Sequence, residues 1–179
     1  MKDVFYLDTE IATTTSAGDG VQALDLSSYV DPIARGKSKG QGLAIYKVHW
    51  DVITTADNAP IGASTTGTFR AGLISFSGIP SFAVGGASLD AGLLKASNDL
   101  MISGVNYYAG GTAAGDPSPQ VYLEPSKEVP YVVVRDQVLL MVDIPVAMSV
   151  AATINLRMEC ATVTLDQSTL NQLLRTQTV

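Results

Sequence analysis

Few residues of this chain are of a type that does chemistry, and their spacing narrows the chemistry further. His49 is the single histidine and Cys160 the single cysteine in 179 residues. Metal-assisted catalysis on a β-scaffold needs several imidazoles and a carboxylate around an open coordination position, and one histidine does not supply them. A Ser-His-Asp or Cys-His device would have to recruit His49, yet no Gly-x-Ser-x-Gly elbow presents a serine. Cys160 falls at an inward position of an alternating segment, where a thiol acts as a small apolar group. Being alone, it cannot close an intrachain disulfide. Asp8 and Glu10 stand two residues apart, so on a strand they share a face. Such a pair suits acid-base work on a glycoside, and it equally suits an edge strand that uses charge to discourage stray pairing.

The segment Arg35-Gly36-Lys37-Ser38-Lys39-Gly40-Gln41-Gly42 contains Gly-Lys-Ser, but the phosphate-loop pattern fails. Asp31 stands where the leading glycine belongs, and an alternating strand follows where a helix is required. What remains is a loop holding Arg35, Lys37 and Lys39, three of the eleven basic residues. It reads either as a solvated hairpin loop or as a basic patch for lipid headgroups, nucleic acid or an acidic neighbour. Carbohydrate recognition would call for an exposed aromatic platform, for which Tyr107-Tyr108 beside Gly110-Gly111 is the one candidate.

The elements that must position these residues are strands. Val150 to Glu159 alternates Val150, Ala152, Ile154, Leu156 and Met158 against Thr153, Asn155, Arg157 and Glu159, the pattern of a half-buried strand, and it continues through Cys160 toward Leu165. Leu43 to Ile53 is predicted to bury Ala44, Tyr46, Val48, Trp50 and Val52 and to expose Lys47, His49 and Asp51. Further strands are predicted over Val4 to Ala12, Val21 to Leu26, Phe69 to Phe76, Leu100 to Tyr108, Tyr131 to Val134 and Gln137 to Ile144. Turn residues separate them at Ser16 to Gly20, Arg35 to Gly42, Asp57 to Pro60 and Gly110 to Pro119. Ser88 is a candidate cap for a short helix from Leu89 to Ala96. Asp166 caps a second, in which Leu170, Leu173 and Leu174 form an apolar stripe. That stripe either closes one end of the sandwich or docks into a neighbouring subunit. Eight strands with uneven loops predict an all-β, eight-stranded jelly-roll sandwich with one or two short helices. It forms one domain over residues 1–179, with the C-terminal helix and tail at 166–179.

Composition agrees with a folded chain: 46% of residues are hydrophobic and 16% charged, too little charge for disorder. A net charge of −6 opposes a binder that must neutralise phosphates. Met1 to Phe5 lacks the basic flank and apolar run of an export signal. The longest apolar stretch, Val138 to Ala152, is broken by Asp143 and Pro145 and is shorter than the ~20 residues of a membrane helix.

Two stretches carry a resemblance: Val21 to Asp31 leading into the Leu43 to Ile53 strand, and the Val150 to Leu165 strand with its leucine helix. In size and strand order the chain resembles small single jelly-roll viral capsid proteins. It looks most like the smaller of two major capsid proteins in tailless icosahedral viruses that enclose a membrane. The resemblance implies a non-enzymatic virion subunit without cofactors, made in the host cytoplasm. Its partners would be copies of itself, a second capsid protein and, at one face, the internal membrane, without sequence-specific nucleic-acid binding. The parts expected to reach neighbours are the N-terminal strand, the loop with Arg35, Lys37 and Lys39, and the helix with Leu170, Leu173 and Leu174. A non-catalytic adhesin or a carbohydrate-binding module is the alternative.

Overall fold

The structure, a computed structural model, describes residues 4–31, 39–61, 65–76, 93–110 and 119–177. Among them are nine strands and one helix: β1 (Phe5–Ala12), β2 (Gly18–Asp25), β3 (Lys39–Thr54), β4 (Thr66–Ile74), β5 (Met101–Gly110), β6 (Gln120–Leu123), β7 (Tyr131–Val133), β8 (Gln137–Val146), β9 (Ala152–Asp166) and α1 (Gln167–Thr176). One sheet runs β1-β9-β3-β7 and the other β2-β8-β4-β5-β6. The antiparallel pairs β1 with β9, β2 with β8, β3 with β7 and β4 with β5 describe a long hairpin coiled across two layers, which is a jelly roll. The short β6 is a ninth strand, added at the free edge of β5.

The two sheets meet over apolar side chains supplied by period-two alternation. Leu43, Val48, Leu140, Leu156, Met158 and Cys160 fill one half of the interior. Phe69, Val105, Tyr107, Val142, Ile144 and Ile154 fill the other. Trp50 links the layers, its indole N–H donating to Ser103 Oγ at 2.9 Å. Burial pushes the Cys160 thiol up to about 12, so it stays protonated and unreactive.

In β9 alternation holds from Ala152 to Cys160 and then breaks, Cys160 and Ala161 both being buried, so the expected continuation toward Leu165 is corrected. In β3 it breaks at one place. The register shifts between Ile45, opposite Cys160, and Lys47, opposite Glu159, leaving Tyr46 as the extra residue of a β-bulge. Leu43 and Ile45 therefore face the core ahead of the bulge, and Val48 and Trp50 face it beyond. Ala44 is buried as expected, whereas the expected core position of Tyr46 is corrected: it lines an outer surface with Lys47 and Glu124 to Glu128.

β8 shows no alternation, because both of its faces are covered. Leu139 and Met141 point away from the main core into a third cluster with Ile74, Leu94, Leu100 and Met101. The covering residues, Leu93 to Leu100, form turns rather than the end of a helix. Asn98 is the cause: its side chain donates to the Leu93 carbonyl (3.0 Å) and accepts from the Leu100 N–H (3.1 Å), engaging backbone groups that a helix would use. Residues 88–92 of the expected Leu89 to Ala96 helix lie outside the described residues. No helix among the described residues is long and apolar enough to cross a membrane.

Candidate assembly surfaces

The end of the sandwich where β9 runs out gathers several of the sequence-predicted residues. Lys39 opens β3 directly opposite Asp166. Asp166 accepts the Thr169 N–H at 2.7 Å and so caps α1, and that bond holds its carboxyl below the usual aspartate range. Leu170 is buried, while Leu173 and Leu174 are half-buried. A Cβ at position 40 would come within 2.7 Å of Leu170 Cδ2, so glycine there lets the helix lie against β3. Arg35 and Lys37 lie outside the described residues. β1 begins opposite the middle of β9, with Phe5 facing Cys160, and runs toward the other end, with Ala12 facing Thr153. Phe5 stacks on Tyr29 at 5.1 Å.

Gln177 secures this end, and nothing in the sequence marked it. Its side chain is buried. Oε1 accepts from Ser75 Oγ and the Val134 N–H, both at 3.2 Å, and Nε2 donates to the Val132 carbonyl at 2.7 Å. The Gln177 carbonyl accepts from Arg135 Nε (3.1 Å) and Nη2 (2.9 Å). A glutamine in a polar tail has no periodicity to announce it, and its role arises only once β4, β7 and β8 converge.

Asp8 and Glu10 project from edge strand β1 into an outer groove of about 410 Å³, which His49, Asp51, Asn155 and Arg157 also line. The register sets Asp8 opposite Arg157 and Glu10 opposite Asn155, so the two carboxylates sit in a cross-strand polar ladder. His49 Nε2 lies 3.0 Å from Glu159 Oε1. The hydrogen bond from His49 is the main cause that draws the Glu159 carboxyl below its ordinary range. No group of three or more histidine, cysteine or acidic side chains among the described residues is arranged to hold a metal.

The Tyr107-Tyr108 platform is corrected. Strand alternation sends Tyr107 inward, stacked on Phe69 at 5.0 Å, while Tyr108 is 68% exposed. The two rings therefore lie on opposite faces of one sheet.

The fold and its surfaces define a jelly-roll sandwich with a helix-sealed end. No family model and no curated protein matches the sequence. Among solved structures, the chain is similar to VP1 of New Jersey polyomavirus (6% identity, TM-score 0.48, 92% of this chain and 100% of that one). It is also similar to VP1 of Trichodysplasia spinulosa-associated polyomavirus, solved with sialylated glycooligomers (7% identity, TM-score 0.46, 92% and 95%). A third is the VP1 pentamer of Human polyomavirus 7 (13% identity, TM-score 0.42, 91% and 96%). These neighbours are viral capsid proteins.

Proposed function

We propose that this chain is a non-catalytic structural subunit of an icosahedral virion, working by the contacts it repeats around a shell. The observation that carries the reading is the coiled hairpin itself, with its 1:9, 2:8, 3:7 and 4:5 strand pairs. It is the architecture that the sequence resemblance implies, and viral coats are among its uses. The space between the sheets is filled by aliphatic and aromatic side chains, which supports a reading in which contacts on the outer surfaces do the work. Each subunit contact is modest, and closed symmetry multiplies it. The proposed contact regions are the end bearing Lys39 and α1, with Arg35 and Lys37 as further basic residues and Leu173 and Leu174 as its apolar part, and the N-terminal edge strand β1. A second capsid protein and the internal viral membrane complete the proposed set of partners.

A second reading, a carbohydrate-binding module, draws on the polar groove of Asp8, Glu10, Asn155 and Arg157. Light scattering of the purified chain across ionic strength, followed by a glycan array, separates the two. Growth into discrete large particles with a blank array supports the coat subunit. A monodisperse monomer with a saturable glycan hit supports the module.

A further inference from the structure

Across the outer face of the five-stranded sheet, the strand register lines up five polar residues. Asp19 of β2 lies opposite Asp143 of β8, Asp143 opposite Arg70 of β4, Arg70 opposite Asn106 of β5, and Asn106 opposite Gln120 of β6. Directly opposed side chains on neighbouring strands have Cβ atoms about 5 Å apart, where like charges destabilise the pair. Burial and the facing Asp19 raise the Asp143 carboxyl, and two carboxyls opposed in this way bond each other only when one carries a proton, because an ionised carboxylate only accepts. Arg70 does not fully neutralise them. Its guanidinium lies 4.4 Å from the centre of the Tyr122 ring, and its Nε is buried without a hydrogen-bond partner.

We propose that Asp19 and Asp143 form a proton-linked clasp that holds the start of edge strand β2 on β8 while they share a proton and loosens it once both ionise. β2 lies at the edge of its sheet, with β8 as its one neighbour there. Asp19 follows Gly18, whose φ of +151° turns the chain out of the β1–β2 connection. The start of β2 is thus an edge segment that can open locally.

The groups facing the pair fix the sign. Burial, then the hydrogen bond from Asp19, then the Asp19 charge raise the Asp143 carboxyl above the ordinary aspartate value of 3.8, and Arg70 opposes them. Asn106 is uncharged, and the Tyr122 hydroxyl is committed to the Leu94 carbonyl at 2.7 Å. A carboxyl whose folded value lies above its unfolded one adds stability that is complete below the unfolded value and is lost as pH rises through the folded one.

The test is urea unfolding of the full chain between about pH 4 and about pH 8, comparing wild type with Asp143→Asn and Asp19→Asn. In either variant an amide donor bonds the remaining carboxylate at every pH in that range. The ratio of variant to wild-type folding constants is expected to rise roughly threefold with pH. Hydrogen exchange at residues 18–21, corrected for intrinsic rate, is expected to quicken with pH in wild type alone. A hydrogen bond of purely structural value would shift the curves by the same factor at all pH. A ratio independent of pH in both variants, or in the single variant that folds, overturns the proposal.

Discussion

The outer faces of the two sheets solve the same problem in opposite ways. On the four-stranded sheet, β9 turns Asn155, Arg157 and Glu159 outward among the polar side chains of β1 and β3. Solvent completes that surface. On the five-stranded sheet, β8 turns Leu139 and Met141 outward, and Leu93 to Leu100 cover them with a second apolar layer. A strand's outward residues thus show whether its face meets water or more of its own chain, and the polar row from Asp19 to Gln120 lies beside that covered part.

The contrast sets the scale of mutational effects. Met141→Ala empties a fully buried site on an outer face and is expected to cost about 2–5 kcal/mol. Arg157→Ala, on the solvated face, is expected to cost under ~1 kcal/mol. Urea denaturation of both variants checks the difference, and equal losses would break the comparison. Next in size is Gly104→Ala, whose added methyl collides with the Tyr122 ring and the Met101 methyl. Overpacking of this kind costs about 1–3 kcal/mol, measurable as a lower thermal midpoint.

Gln177→Ala tests the sealed end. It leaves the buried Ser75 hydroxyl and Val134 N–H without their acceptor, at a cost of about 1–3 kcal/mol, and circular dichroism on heating is expected to show α1 melting ahead of the sheets. The smallest effect belongs to the surface hydrogen bond between His49 and Glu159: Glu159→Gln is expected to leave the urea midpoint at neutral pH almost unchanged. Because His49 lowers the Glu159 carboxyl, its contribution is present above the ordinary value of 4.5 and fades as pH falls through the lowered one. The variant and wild-type curves therefore converge in acid.

The same contrast explains what could be read from the sequence. From Ala152 to Cys160, β9 was legible because its two faces meet different surroundings, so period two survives in the residues. The Asp166 cap and the leucine stripe were legible because capping and helical spacing are local. β8 was placed correctly as a strand, but its outward layer was hidden, since two covered faces erase the alternation that would mark them. The bulge at Tyr46 has no signature in a stretch that alternates on paper. Asp19 sits in a run that reads as turn chemistry, and only pairing with β8 recruits it into β2. Gln177 and the short β6 depend on distant partners and carry no local pattern of their own. Of the proposed contact region, Leu170 proved to be buried within its own sandwich, a fate that spacing alone could not distinguish from docking.

The most direct test of the coat-subunit reading is negative-stain electron microscopy of the purified chain as ionic strength and concentration are varied, with a chain ending at Leu165 alongside. The account predicts closed particles or ordered arrays of uniform subunits from the full chain, lost or disordered once α1 is removed. A full chain that stays monomeric under every condition would contradict it.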